Sequence, residues 1–168
     1  RLTEMGVPNI VLDRGRRVGG RLSTKRVECD NQSVLIDHGA AKIAVNTDEF
    51  RDVAEYWVRS GVARWSGVYM LCGVPCMRSI TEALTEGIDV HTSSEVLRID
   101  RAGAGWRVDA QGYNEPQPFQ IDARAIVFAC PPVQAERILS RSGEDYPEQL
   151  REARFKPAWV YLMCVEAA

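Results

Sequence analysis

Apolar and polar residues follow two different periods along this chain, and the places where the period changes divide it into elements. VPNIVLD, residues 7–13, is a short apolar run, expected as a buried strand ending at Asp13. Ahead of it, RLTEMG has the composition of a helix's last turn, closed by Gly6, a residue type suited to the left-handed conformation past a helix end. From Asn46 to Gly61 the period is helical: Phe50, Val53, Ala54, Trp57 and Val58 share one face, and Asn46 with Glu49 three residues on predicts a capping box. Residues 77–86 place Ile80, Ala83 and Leu84 on one face and stop at Gly87, a second helix, after which IDVHT is a strand. EVLRIDRA, GWRVDA and the weaker QPFQID are separated by glycine- or proline-containing turns and predict an antiparallel meander. Residues 125–129 are wholly apolar, as in a strand buried on both faces at a sheet centre. Pro131 and Pro132 then open a helix carrying Val133, Ala135, Ile138 and Leu139, and AWVYLMCVEAA is expected as a last strand.

These elements predict an α/β fold with an inserted antiparallel sheet. A helix followed by a buried strand also implies an earlier strand from which that helix crosses, because parallel sheets are built from strand–helix–strand units. That strand and its glycine turn are missing: the nearest match to G-x-G-x-x-G is Gly103-Ala104-Gly105, with Val108 where the third glycine would fall. The chain is therefore expected to be a fragment.

Composition narrows the function classes. With 168 residues the chain holds one core, and a net charge of -2 gives it no long-range attraction for polyanions, which disfavours nucleic acid as a partner. Five cysteines, an odd number, point to a reducing compartment and a cytoplasmic location. Cys72 and Cys76 form a lone C-x3-C with neither His38 nor His91 nearby in sequence, so no metal site is expected. No apolar run approaches the ~20 residues that span a bilayer, so no membrane partner is expected.

The chemistry concentrates in DRGRRVGGRLSTKR, Asp13 to Arg26, where six basic residues and three glycines follow one carboxylate. A carboxylate at a strand's C-terminal end can accept bonds from the vicinal hydroxyls of a ribose. Gly19 and Gly20 leave backbone amides open to a pyrophosphate, and Arg17 and Arg21 supply charge. This suits an adenine dinucleotide better than a nucleic acid, since the leading acid repels a phosphate chain and no aromatics interleave the arginines. The plain alternative is a solvated arginine-rich loop.

DRGRRVGGR also has the D/E-x3-R-x-G-G-R spacing that follows the second strand in the flavin amine oxidase superfamily. IDHGAA resembles the next D-x-G-A segment, GVPCM the G-V-P-G-M of renalase-type members, and FKPAWVYLM their Y-x-P-C-W segment. In order and spacing these pieces cover nearly the whole chain, which is thus similar to the renalase-like branch. The resemblance implies an FAD-dependent oxidoreductase with a Rossmann-like parallel sheet and part of an inserted substrate domain. It places the FAD-binding domain in residues 1–35 and 73–145 and the substrate domain in 36–72 and 146–168. By motif position Asp13, with Arg14 beside it, would bind the adenosine ribose, and Arg17 would lie along the diphosphate. Gly19, Gly20 and Arg21 would face the pyrophosphate, and Gly39 and Ala40 the isoalloxazine ring. By strand order Val96 would meet adenine, and Ala129 to Pro131 would pass the cofactor. The implied partner is a small-molecule substrate, a reduced nicotinamide dinucleotide among the candidates.

This sequence departs from the branch where Gly39-Ala40-Ala41-Lys42-Ile43 replaces G-A-Q-Y-F, Cys76 a glycine and Ala158 a cysteine. The alternatives are a general flavin amine oxidase or desaturase-type enzyme, and a non-catalytic remnant serving as an interaction module. His38 as a base, Trp57, Trp65 and Trp106 as an aromatic cage, and Asp37 paired with Glu28 or Asp30 are weighed against packing roles, and none is assigned.

Overall fold

The computed structural model describes residues 2–29, 32–113, 117–153, 155–156 and 158–163, with the backbone alone at residue 149. It is mixed α/β and divides into two units, residues 1–9, 17–89 and 159–168 in the first and 10–16 with 90–158 in the second. This division by contact differs from the expected domain boundaries, which rest on the resemblance alone.

In the first unit, Leu2 to Gly6 form turns, and Gly6 has φ +69, as its place in the sequence requires. Strands β2 (Thr24–Cys29) and β3 (Gln32–Asp37) make an antiparallel hairpin in which Thr24 faces Asp37. Helix α1 (Asp48–Arg59) and strands β4 (Ile43–Ala44), β5 (Ala63–Trp65) and β6 (Met70–Gly73) follow, the strands in antiparallel order β4-β6-β5. Helix α2 (Arg78–Leu84) comes next. The core is Val45, Ala54, Trp57, Ala63, Leu71, Met77 and Ile80, with Phe50 edge-on to Trp57 at 5.8 Å. Burial of such side chains contributes roughly 1.5–3 kcal/mol each. The N-cap of α1 is Thr47, whose Oγ1 accepts the Phe50 N–H at 3.2 Å, and not Asn46 as the capping-box spacing predicts. Thr47 takes the role because its extended backbone aims the hydroxyl at the N–H three residues on.

In the second unit, β1 (Ile10–Leu12) pairs with β7 (Asp89–His91). Strands β8 (Ser94–Ala102), β9 (Gly105–Gly112) and β10 (Phe119–Ala123) form the expected meander, antiparallel and ordered β10-β9-β8, with a register shift between Val96 and Arg98. Helix α3 (Pro132–Ser142) carries proline at its first turn, ends at Gly143 with φ 71, and packs on β8. Ser142 Oγ accepts the Ile99 N–H at 2.9 Å and donates to Ile138 O, tying helix to strand. A short helix, α4 (Glu148–Arg151), follows.

Three expectations change. Among the described residues no doubly wound parallel sheet is established, and β1 is only partly covered, Ile10 being 47% exposed. Residues 125–129 form no strand, and Val127 is 82% exposed. An apolar run becomes a buried strand only where neighbours pair with its backbone, and among the described residues none does. Residues 158–163 likewise form no strand; the rest of that expected element, 164–168, lies outside the described residues.

Candidate functional site

The residues singled out by sequence fall into two groups, each described within its own unit. In the second unit the chain leaves β1 at Asp13, which is held from both sides: its N–H donates to His91 O at 2.9 Å, and its carbonyl accepts from Ser94 N at 3.0 Å. Its carboxylate Oδ1 accepts the Gly15 N–H at 2.7 Å, an Asx turn. Gly15 O in turn accepts from Ser93 N at 2.7 Å, with Ser93 at φ 54. Asp13 is thereby fixed at the start of β8, the strand on which half-buried Val96 faces Ala110. Arg14 is exposed beside it. Ala129 is exposed, and Pro131 is the N-cap of α3, its carbonyl accepting from Gln134 N at 2.8 Å. Among the described residues no hydrogen bond joins either of them to Asp13 or Val96.

In the first unit, Arg17 is exposed, and Gly19 and Gly20 have φ 125 and φ 47. They lead into a 3₁₀ turn over Gly20–Leu22, closed by Leu22 N donating to Gly19 O at 2.7 Å. That turn lies against His38–Ala41: Ala40 N donates to Arg21 O at 2.7 Å and His38 N to Ser23 O at 3.2 Å. A Cβ on Gly39 would stand 2.0 Å from Arg21 O, so only glycine permits this approach. Three of the expected residues, Arg21, Gly39 and Ala40, are therefore neighbours, although about 20 positions separate Arg21 from the other two in sequence. Gly19 is packed from the other side, by Thr81 Oγ1 and Arg78 Cγ at 3.2 and 3.5 Å from where its Cβ would be.

Beneath these two loops is a polar cluster that sequence reasoning did not assign. Thr24 Oγ1 donates to Asp37 Oδ1 at 2.6 Å, and the same oxygen accepts the Met77 N–H at 3.1 Å. Thr24 Oγ1 itself accepts from Arg78 N at 3.3 Å. The guanidinium of Arg78, only 8% exposed, donates to Thr24 O at 3.0 Å and to Glu82 Oε1 at 2.9 Å. Cys76, 5% exposed, adjoins the cluster with its sulfur 3.7 Å from Ser79 Oγ. Burial opposes ionisation of this thiol. The polar groups around the sulfur, the Thr24 and Ser79 side chains and the Ser79 and Arg78 backbone, nevertheless hold it below the ordinary thiol range. The signal in the sequence was a polar residue ending each strand of the hairpin, Thr24 and Asp37, where a surface strand needs none.

Trp57 belongs to the core, Trp65 lies 5.7 Å from the Arg51 guanidinium, and Trp106 is capped by Arg101 at 3.8 Å. None of these placements is a cage. His38 is exposed and is engaged through its backbone. Cavities of about 450 Å³ at Trp106, Arg107 and Arg124 and about 230 Å³ at Thr47, Arg51 and Tyr69 have none of the candidate cofactor residues in their walls. Among the described residues no helix is long and apolar enough to cross a membrane, and no cluster has the makings of a metal site. No protein-family model matches the chain.

Proposed function

We propose that this chain is part of an FAD-dependent oxidoreductase of the renalase-like kind, which passes a hydride from a small substrate to flavin. The observation that carries the reading is the contact of Arg21, in the Gly19–Ser23 turn, with Gly39 and Ala40. Two motif segments assigned to one cofactor from their sequence alone are packed backbone to backbone, at a glycine that admits no side chain.

The residues present suit such a group. Gly20 has nothing within 4 Å of where a Cβ would stand, so its backbone is open to a phosphate. Asp13 uses Oδ1 for its own turn, which leaves Oδ2 to accept a ribose hydroxyl. Arg17 is exposed and makes no ion pair among the described residues, so its guanidinium is available to a diphosphate. Bound FAD would supply the electron-accepting ring, and this chain its placement and the exclusion of water. On this reading residues 1–35 and 73–145 serve the cofactor and 36–72 and 146–168 the substrate.

Neither of these two cavities is walled by the candidate residues, which suits a second reading: a fold kept without flavin, as an interaction module. Absorbance separates the two. The purified protein carrying this chain is expected to show oxidised-flavin bands or to acquire them on titration with FAD. Colourless protein that takes up no FAD overturns the enzyme reading and leaves the module.

A further inference from the structure

We propose that Thr24, Asp37 and Arg78 are positioning residues, which hold the glycine turn Gly19–Ser23 and the segment His38–Ala41 in the one register that lets their backbones meet. The proposal rests on the flavin reading for its function and on geometry alone for its structural part. Thr24 follows the first segment directly and Asp37 precedes the second, and they face each other as the end pair of the hairpin. Nothing in a two-stranded ladder prevents fraying at such an end. Here the 2.6 Å bond from Thr24 Oγ1 to Asp37 Oδ1 clamps it. The clamp is anchored to a third element, because Met77 N donates to Asp37 and Arg78 N to Thr24. The buried Arg78 side chain returns to Thr24 O, and its Cγ lies beside Gly19, so one residue touches both the clamp and the turn.

The arrangement is sensitive because Asp37 Oδ1 serves two donors and the Thr24 hydroxyl both donates and accepts. Removing the Thr24 hydroxyl leaves the Arg78 amide without its acceptor and Asp37 with one donor fewer, and unpaired buried groups are costly. The loss should be felt first at the three amides that join or close the loops, those of Leu22, His38 and Ala40.

Hydrogen exchange at those amides tests the proposal, with Ala54→Gly in the core of the same unit as a generally destabilised control. Thr24→Val is expected to speed exchange at Leu22, His38 and Ala40 by about tenfold beyond the control and to weaken FAD binding by about the same factor, whereas Thr24→Ser restores both. Exchange no faster than in Ala54→Gly overturns the proposal. Faster exchange with unchanged FAD affinity overturns its link to the cofactor. If the unaltered protein takes up no FAD, the flavin reading falls and the exchange comparison alone decides the positioning role. Should Thr24→Val fail to fold, Asp37→Ala is read at the same amides, with Asp37→Asn, which keeps an acceptor, expected to behave as the native protein.

Discussion

Cys76 and Cys130 are both shielded thiols, yet their surroundings drive them in opposite directions. Burial raises Cys130, while at Cys76 burial is outweighed by the polar groups of Thr24, Ser79 and Arg78 around the sulfur. A thiol whose folded pKa is depressed gives up its proton more readily in the fold than in the unfolded chain. Its stabilisation is lost as pH falls through the folded value and is fully present above the ordinary value of about 8.5. Cys130 has the opposite sign, its contribution being present below the ordinary value and lost as pH rises through the folded one. In urea unfolding followed from neutral to alkaline pH, Cys76→Ser is therefore expected to make the slope of stability against pH less positive, and Cys130→Ser to make it more positive. The glycines make a second contrast. Gly20→Ala meets no atom but must hold φ 47, a cost of about 1–2 kcal/mol, whereas Gly39→Ala drives a methyl into Arg21 O and displaces backbone. Thermal unfolding should rank Gly39→Ala as clearly the worse. For the flavin reading, Asp13→Ala is expected to weaken FAD binding by about 1–3 kcal/mol, the scale of a charge-assisted bond, in a fluorescence titration. Equal affinities would remove Asp13 from the site.

At the level of elements, Thr47 rather than Asn46 caps α1, so Thr47→Ala should cost about 1 kcal/mol in chemical denaturation and Asn46→Ala a few tenths. That reassignment shows what the sequence made legible. The helix itself was plain, because five apolar residues at helical spacing leave few other folds, but the choice between two adjacent capping residues depends on backbone angles that no spacing encodes. The meander was legible for the same reason in period two, each strand being long enough to repeat its pattern. β4, β5 and β6 span two to four residues, too short for any period to show. The hairpin of β2 and β3 was hidden because its first strand continues the basic stretch, whose charge drew attention to ligands. Residues 125–129 failed in the other direction: apolarity reports what a segment would bury, and pairing depends on whether a neighbour is there. In the candidate site, the glycines and Asp13 were visible as a motif. The clamp beneath them was not, because Thr24, Asp37 and Arg78 meet only through the tertiary fold.

Over the whole molecule, apolar surface is the property most open to experiment. Val127 is 82% exposed in a run that, among the described residues, has no strand paired with it, and such stretches are where chains associate. Val127→Lys is expected to leave the circular dichroism spectrum unchanged while slowing aggregation measured by light scattering; an unaltered rate would show that the run takes no part in association. The bonds around Asp13 also impose a timetable. Its amide partner is the carbonyl of His91 and its carbonyl partner the amide of Ser94. On a ribosome adding about 5–20 residues per second, β1 emerges roughly 4 to 16 seconds before either partner has been synthesised. Throughout that interval Ile10, Val11 and Leu12 travel as an unpaired strand, so the nascent chain passes through a stage at which a chaperone, or a neighbouring copy on the same message, meets β1 before β7 does.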